Sequence, residues 1–454
     1  MAVFSKFTVL DTSCKTYVHP WCDSCTAASL DLLLPCLKES FRIYLIAYSV
    51  ALIMRKKVPS KDEMKNTILG IIRSCIFLTS HGIGYSAVLC FLRRILGNFN
   101  FLTVSFLPSF LSSIISILIE RPSRRGLLSL YVTNVASETL FKMVVSRNLF
   151  KPIRYGEVLV FSSSIAFLLY FYKGRGLPRD PIYSLLRFLV GPYDEHGFRK
   201  EEKLSYPPSR QFVTDDLDFF TKLSIKIKYK FKEIIHKIKI LSSHPSCPHP
   251  FSCLYYILQG SSKTFAVGLV LQLALKIIIN SKKLIKRPSH FKNVVLQKEI
   301  FRLGATFASF TALFRGMACL LRRFKGSDSD VIAIPAGFIA GLAFFLYRDN
   351  TIALYFMWKT FQISYNIGVE KGYFVDIPYA TVFFHAFSTA ILFHVALVEP
   401  KNLRPSYWKF LQAMSNGRIG QMDRKCIDAF GLKTSESLAA VLARENKVSI
   451  STNR

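Results

Sequence analysis

The sequence predicts an all-α protein: a multi-pass helical membrane protein, internally duplicated, with two modules of four to five transmembrane helices. Two observations support this prediction. Hydrophobic residues make up 51% of the 454 positions and include 40 Phe, which is too apolar for an ordinary soluble protein of this length. Hydrophobic segments also recur in the same order in two halves of the chain, as they do in many transporters and channels.

The repeat is clearest in the second apolar segment of each half. Residues Arg73 to Gly97 align without a gap on Arg302 to Gly326, and Leu-Arg-Arg and the closing Gly are among seven identical positions. Further along the chain, Tyr155 aligns with Tyr379. The match extends over nearly the whole chain, so each half is expected to contain the same series of helices.

Ten apolar stretches, five in each half, are candidate spans. Several are shorter than the roughly 20 residues that cross a bilayer, which leaves four or five spans per half. Five crossings would make the second copy inverted and four would make it parallel. Every short loop is basic, so the distribution of Lys and Arg leaves both alternatives open. The stretches are Phe41–Met54, Ser74–Leu92, Phe101–Ile119, Leu127–Val145, Val158–Tyr172, Thr264–Ile279, Leu303–Leu321, Val331–Tyr347, Thr351–Val369 and Ala380–Val398.

This pattern divides the chain into four parts. A first membrane module with an N-terminal Cys/His segment covers residues 1–190, and a polar, basic linker covers 191–250. A second membrane module covers 251–400, and a polar C-terminal tail covers 401–454. Within the linker, Thr221 to Ile240 interleaves seven lysines with apolar residues. We expect an interfacial helix that lies on anionic lipid, and the alternative is a solvated helix whose apolar stripe packs on the module.

The net charge of +31 points to membrane lipids, in particular anionic ones, as partners. The basic residues flank apolar spans, where Lys and Arg reach towards the headgroups, and no nucleic-acid-binding module is visible. The first fifteen residues lack the features of a cleaved secretory signal, so we expect insertion from the cytosol into an organelle membrane. The ten cysteines are compatible with reduced thiols.

A polar face runs along the fourth apolar stretch of the first half. Asn134, Glu138 and Lys142 follow one another at i, i+4 spacing, and such groups should face protein or water inside a membrane. They form a candidate polar seam that lines a pathway or a headgroup pocket, or they are polar contacts between helices. The corresponding stretch of the second half contains Lys359 and Gln362 but no acidic residue.

Small residues predict close contacts between helices. Gly82 and Gly84 lie in the second span of the first half, beside His81, and Gly337 and Gly341 form a G-x-x-x-G motif in the second half. Glycines at this spacing let helix backbones approach each other.

A Cys/His element precedes the first span of each half, with His19-Pro-Trp-Cys22 aligned on His244-Pro-Ser-Cys247. The two elements would form a zinc site if they met across the pseudo-symmetry. Redox or acylation chemistry and a structural turn are the alternatives, and the turn is favoured, so no metal or other cofactor is expected. The residues concerned are His19, Cys22, Cys25, His244, Cys247 and Cys253.

An enzyme is not expected. The chain lacks a Walker loop, a G-x-S-x-G motif, an H-E-x-x-H motif and a dinucleotide fingerprint. Acidic residues are scarce, which leaves few candidates for acid-base chemistry. No catalytic residue is assigned.

Five further strings carry a family resemblance. Leu92 to Gly97, Ile119 to Phe141, Gly156 to Val160, Leu186 to Gly191 and Leu403 to Phe410 resemble the transmembrane protein 135 family, also called peroxisomal membrane protein 52. That family is more remotely similar to the channel-forming translocases of the mitochondrial inner membrane, which are four-helix modules with GxxxG packing. Its N-terminal and central regions are Cys-rich, whereas here the central region retains Cys247 and Cys253.

The resemblance implies a non-enzymatic, multi-pass protein of peroxisomal and mitochondrial membranes that is also linked to lipid droplets. It implies a role in mitochondrial fission through a dynamin-related GTPase, in peroxisome organisation and in lipid storage. Fission machinery is thus an expected partner, and a homo-oligomer is compatible with the sequence. The alternative function is transport of a lipid or metabolite, which the internal repeat favours.

Overall fold

The computed structural model of the protein describes residues 8–54, 59–177, 181–198, 219–241, 244–280, 291, 297 and 299–452. These residues are helical apart from turns and one antiparallel bridge between Leu10 and Phe99, which confirms the all-α class. The helices are α1 (Cys14–Tyr17), α2 (Cys25–Asp31), α3 (Leu33–Met54), α4 (Lys61–Leu96), α5 (Phe106–Ile119), α6 (Pro122–Ser146), α7 (Gly156–Gly174), α8 (Pro181–Val190), α9 (Phe219–Ile240), α10 (Cys253–Ile279), α11 (Glu299–Lys325), α12 (Ala333–Gly341), α13 (Asn350–Glu370), α14 (Ala380–Val398), α15 (Pro405–Met414), α16 (Arg418–Gln421), α17 (Lys425–Asp428) and α18 (Thr434–Thr452).

Five helices in the described part of the chain are long and apolar enough to cross a membrane: α4, α7, α10, α11 and α14. The membrane-protein character of the chain is therefore confirmed. Helix α5 is apolar but has only 14 residues, whereas α6 and α13 have the length but are less apolar. The duplication and the number of crossings per half stay predictions.

The ends of the longest spans follow from local sequence. At the start of α4, Ser60 and Glu63 form a capping box: the Ser60 hydroxyl accepts from the Glu63 N–H at 3.2 Å, and the Glu63 carboxylate accepts from the Ser60 N–H at 3.0 Å. The Leu-Arg-Arg motif lies in the last turns of α4 and α11, and the glycine that closes it is left-handed in both cases, with φ of 74° at Gly97 and 70° at Gly326. Glycine adopts this conformation without the steric cost of a Cβ. The Leu-Arg-Arg motif and its closing glycine, which both halves share, therefore mark the end of a helix in each half.

The chain forms two compact units, and neither of them coincides with one of the predicted modules. Unit 1 consists of Met1–Pro152 and Ile367–Arg454, and unit 2 consists of Ile153–Asn366. The first boundary lies well before residue 190, because α7 packs on α12 and α8 packs on α11. The predicted second module loses its last helix for the same reason, since α14 packs on α5 and α6.

The core of unit 1 joins the two ends of the chain. Tyr17 from α1, Leu89 from α4 and Val135 from α6 are buried in one cluster with residues from beyond position 400. Trp408 of α15 is 1% exposed in this cluster and Ile427 is fully buried. The predicted polar C-terminal tail at 401–454 is thus docked on the helices in its described part up to the start of α18, through its apolar side chains.

Unit 2 is built around the pair α10 and α11. Their backbones approach closely at two glycines, where a Cβ added to Gly268 would lie 2.8 Å from the Cα of Gly304. Helix α12 packs against α11, and α7 packs against α12. The basic helix predicted at Thr221 to Ile240 is present as α9, and its C-terminal end contacts α10. Residues 199–218 of the predicted linker lie outside the described residues.

The predicted packing glycines all lie at close approaches. An added Cβ at Gly82 would come 2.6 Å from Cys36 Sγ, and one at Gly84 would come 3.3 Å from Ser112 Cβ. At the G-x-x-x-G motif of α12 the neighbour is the backbone of α7: a Cβ at Gly337 would lie 2.9 Å from the Cα of Ala166. Backbone atoms cannot rotate away, so these two helices have to separate to accept a side chain.

We predict that Gly341→Ala destabilises unit 2 by about 1–3 kcal/mol, the usual cost of overpacking, because its Cβ would lie 2.5 Å from the Cα of Ser162 in α7. The matched control is Gly126→Ala in α6, where no atom lies within 4 Å and alanine favours the helix by about 1 kcal/mol. Thermal unfolding of the full chain in detergent measures both. A melting temperature lowered equally in the two variants would contradict close helix packing at Gly341.

Candidate functional site

Glu138 and Lys142 lie on one face of α6, where the sequence places the candidate polar seam. The carboxylate lies 2.7 Å from Lys142 Nζ and also pairs with the guanidinium of Arg404, in the segment that follows α14. The Glu138 side chain is 12% exposed. The pair with Arg404 ties α6 to the C-terminal part of unit 1.

The other seam residues lie in different surroundings. Asn134 is buried in unit 1, one turn before Glu138. Lys359 and Gln362 belong to unit 2, where Lys359 Nζ donates to Gln362 Oε1 at 3.2 Å on an exposed part of α13. Each described group thus has contacts of its own within its unit.

Unit 1 also contains buried hydroxyl groups that the sequence analysis did not single out. His81 of α4 has its Nδ1 atom 3.2 Å from Ser112 Oγ and 3.4 Å from Ser113 Oγ, both on α5. Between α6 and α14, the hydroxyls of Thr133 and Ser388 lie 3.0 Å apart. Small polar residues allow helices to approach closely and bond across the interface. The buried serines of α5 are Ser109, Ser112, Ser113 and Ser116.

Unit 2 contains a buried ionic cluster around Arg322. This side chain is fully buried in α11 and pairs with Asp194, in the turn after α8, and through Nε with Asp328 at 2.9 Å. Lys173 from the end of α7 also pairs with Asp328, and the hydroxyl of Tyr256 donates to Asp194 Oδ2 at 3.2 Å. The cluster joins four segments that are distant along the chain. In the sequence, Arg322 stands out only as part of the repeated Leu-Arg-Arg motif.

Arg315, another cation inside a span, binds backbone carbonyls. Its Nε donates to the Val190 carbonyl at 3.0 Å and its Nη1 to the Tyr256 carbonyl at 2.7 Å, and the guanidinium lies 4.1 Å from the centroid of the Tyr256 ring. A Cβ at Gly260 would lie 2.2 Å from the Arg315 guanidinium, so a side chain there would displace Arg315 from these carbonyls. Arg315 holds the end of α8 on α10.

The N-terminal Cys/His group consists of Cys14, His19, Cys25 and Cys90. Their Sγ and imidazole nitrogen atoms all lie within 4.8 Å of one another. His19 is 1% exposed, its Nε2 lies 3.3 Å from Cys25 Sγ, and its Nδ1 lies 2.8 Å from the carbonyl oxygen of Cys22. A hydrogen bond with the Cys90 thiol is the main reason that the pKa of Cys14 lies below its ordinary value.

The central Cys/His group consists of Cys247, His249, Cys253 and Cys319, again with all candidate ligand atoms within 4.8 Å. His249 Nε2 lies 3.3 Å from Cys319 Sγ, and its Nδ1 lies 2.6 Å from the carbonyl oxygen of Phe251. The Sγ atoms of Cys247 and Cys253 are 3.8 Å apart. The pKa of Cys247 lies below its ordinary value, chiefly because of a hydrogen bond with the Cys319 thiol.

These groups do not consist of the same residues as the predicted zinc site. Cys22 and His244 lie outside both groups, and each group is completed within one unit by a cysteine from α4 or α11. Cys14, Cys90, His249 and Cys319 were not among the residues predicted for the zinc site. One available signal was the gapless alignment of Arg73 to Gly97 on Arg302 to Gly326, in which Cys90 coincides with Cys319.

Comparison with known families bears directly on the first of these groups. Residues 11–145 match the N-terminal cysteine-rich region of Transmembrane protein 135. Over this part of its length, the chain is similar to the transmembrane protein 135 family. The matched region covers the complete N-terminal Cys/His group together with α1 to α5 and nearly all of α6. The match confirms the resemblance found in the sequence, while the remote likeness of this family to the inner-membrane translocases stays a prediction. No solved structure matches the chain.

We predict that Asp194→Ala lowers the free energy of unfolding of unit 2 by about 3–5 kcal/mol, because it leaves the buried Arg322 without one of its two carboxylate partners. The exposed Asp376 is the control, and its replacement by Ala should change stability by less than about 0.5 kcal/mol. Thermal unfolding in detergent measures both. Equal losses would show that the buried pair adds no stability of its own.

The same variant tests the sign of a pH effect. Burial raises the pKa of Asp194, but the charges of Arg322 and Lys173 outweigh burial and hold the pKa below the ordinary value of 3.8. A carboxyl group with a lowered pKa stabilises the folded state above its ordinary pKa, and this stabilisation is lost as the pH falls through the folded pKa. We expect a melting temperature that falls on acidification below about pH 4, and less steeply for Asp194→Ala. Parallel curves would contradict this assignment.

Proposed function

We propose that this protein is a non-enzymatic, multi-pass protein of the peroxisomal and mitochondrial membranes that promotes mitochondrial fission. In this proposal it acts through a dynamin-related GTPase or other fission machinery, and it also influences peroxisome organisation, lipid storage and lipid-droplet association. The match of residues 11–145 to the N-terminal cysteine-rich region of Transmembrane protein 135 is the observation that carries the proposal. The five apolar helices support its membrane part.

The surroundings of Glu138 support a regulator more than a carrier. Ionisable groups inside a membrane either pair with one another or line a water-filled path. Glu138 pairs with Lys142 and Arg404. Removing it should therefore affect the docking of the C-terminal segment first.

Helix α9 supports anionic lipid as a partner. At about 100° per residue, Ile227, Phe231, Ile234 and Ile238 fall on one stripe, and Ile227, Phe231 and Ile234 are exposed. Lysines flank this stripe on both sides, as in helices that lie in a membrane interface; they are Lys226, Lys228, Lys230, Lys232, Lys237 and Lys239.

The C-terminal end of α9 is fixed to the start of α10. The Ser252 N–H donates to the Lys239 carbonyl at 3.0 Å, and Lys239 Nζ lies 4.6 Å from the centroid of the Phe251 ring. The helix would thus lie beside the membrane span to which it is joined, with the apolar stripe towards the acyl chains.

We predict that Phe231→Trp in the full chain is quenched by brominated lipids in liposomes that contain anionic lipid, because the apolar stripe enters the interface. Tyr229→Trp is the matched control, since Tyr229 lies on the opposite side of α9. Fluorescence is compared with that of the parent protein, which has three Trp of its own. Equal quenching of the two variants would contradict an interfacial position for this helix.

One observation favours the alternative function, transport of a lipid or metabolite. His81 and the buried serines of α5 place polar groups inside unit 1, and polar groups inside membrane helices often mark pathways. The carrier and the regulator differ in whether the purified protein moves lipid without any partner.

The experiment that separates them is reconstitution of the purified protein into liposomes, with fluorescent sterol and fatty-acyl probes. Glu138→Gln is assayed in parallel, and Glu436→Gln, at an exposed ion pair with Lys433, is the control. The proposal expects no transfer by folded protein, together with greater binding of a purified dynamin-related GTPase to the same liposomes. Transfer that Glu138→Gln abolishes and Glu436→Gln retains would establish a carrier instead.

A further inference from the structure

We propose that the N-terminal Cys/His group and the central Cys/His group each bind one Zn²⁺ ion, so that the chain holds two structural zinc sites of the Cys₃His type. This inference goes beyond the proposed function and does not depend on it. It rests on the positions of the eight side chains, four in each unit.

The spacing of the ligand atoms fits one ion per group. With Zn–S distances of about 2.3 Å and Zn–N distances of about 2.0–2.1 Å, neighbouring ligand atoms of a tetrahedral site lie about 3.5–3.8 Å apart. Cys247 Sγ and Cys253 Sγ are 3.8 Å apart, and both histidines have Nε2 at 3.3 Å from a cysteine sulfur. The remaining separations stay within 4.8 Å. Shortening the longest of these separations by about 1 Å would complete the tetrahedron.

The ligand types favour zinc among the common metals. Three thiolates and one imidazole are soft or intermediate donors that exclude Mg²⁺ and Ca²⁺, whose ligands are oxygen atoms. A [2Fe–2S] cluster divides its four ligands between two iron atoms, so its ligand atoms would not all lie as close together as they do here. Cys₃His sets with four protein ligands are typical of closed, structural zinc sites.

Both histidines are already oriented for coordination. In each group Nδ1 lies against a backbone carbonyl, that of Cys22 for His19 and that of Phe251 for His249. A carbonyl accepts a hydrogen bond, so Nδ1 carries the proton and Nε2 presents its lone pair to the three sulfurs. This second contact is the usual way in which proteins fix a metal-binding imidazole.

Disulfide bonds explain the groups less well. Each group contains three cysteines, so pairing two of them would leave one thiol and one buried imidazole unused. All six are free cysteines. A metal ion uses all four side chains at once.

The two sites would do the same mechanical work in their units. Cys90 lies near the end of α4 and Cys319 near the end of α11, and the other three ligands of each group come from the segment that precedes α3 or from the segment around the start of α10. Each ion would fix an extramembrane segment to a membrane-spanning helix. In unit 1 two further contacts hold the same segment on α4 and the turn after it. Arg93 Nε donates to the Thr12 carbonyl at 2.8 Å, and Leu10 pairs with Phe99.

The test is the metal content of full-length protein purified in detergent without chelators. We expect two zinc ions per chain by mass spectrometry of the elements, one ion after Cys90→Ser or Cys319→Ser, and none in the double variant. Cys22→Ser and Cys426→Ser alter thiols outside both groups and should retain two. Chelator treatment of the parent protein should lower its melting temperature, because binding to a folded site stabilises the fold.

Two measurements keep the proposal falsifiable if a serine variant does not fold. His19→Cys supplies a fourth thiolate and should retain two ions, whereas His19→Gln removes the imidazole ligand and should not. If His19 only packs against its neighbours, the two variants should have the same zinc content. Exchange of the parent protein with Co²⁺ should give the intense visible bands of tetrahedral cobalt with thiolate ligands. Monodisperse parent protein without zinc, iron in place of zinc, or loss of an ion on Cys22→Ser would each overturn the proposal.

Discussion

Charges buried among the helices must be paired, because a buried ion without a partner costs several kcal/mol. In unit 2 this constraint falls on Arg322, which fixes the end of α7, the turn after α8 and the start of the segment before α12 around one guanidinium. In unit 1 Glu138 holds Arg404 against α6. Another buried carboxylate, Glu120, accepts a hydrogen bond from Ser74 at 2.7 Å. These pairs connect segments that hydropathy alone would leave independent.

The helices themselves were largely predictable, since their signals are local. The capping box at Ser60 and the glycines at 97 and 326 are visible in the sequence, and they mark helix ends in the structure. The neighbours of each helix were not predictable. A span such as α7 or α14 is apolar on all sides, so its composition does not indicate which helix it packs against. The docking of the C-terminal segment was not predictable for a related reason: its average composition is polar, while a few residues such as Trp408 and Ile427 decide its position.

In the candidate metal groups too, the residues that lie close together in the sequence were predictable, and the distant ones were not. His19 and Cys25 were recognisable from their short spacing, but the spacing of Cys22 and Cys25 also suggested a C-x-x-C pair that does not form. The ligands that close each group, Cys90 and Cys319, lie inside apolar helices, where cysteine ordinarily counts as a small hydrophobic residue. The alignment of the two halves pairs these two cysteines, but the three-dimensional arrangement is what places each of them beside a His and two further Cys residues.

The exchange of helices between the two halves has a consequence for synthesis on the ribosome. Unit 2 is built from one continuous stretch, Ile153–Asn366, so it can be completed as soon as that stretch has emerged. Unit 1 has to wait, because α14 and the segment around Trp408 come from the end of the chain. Until then the polar faces of α5 and α6 lack their final neighbour, and chains in this state are the ones that chaperones or membrane insertases would have to protect. A premature stop near the C-terminus would therefore damage the part of the protein that was made first.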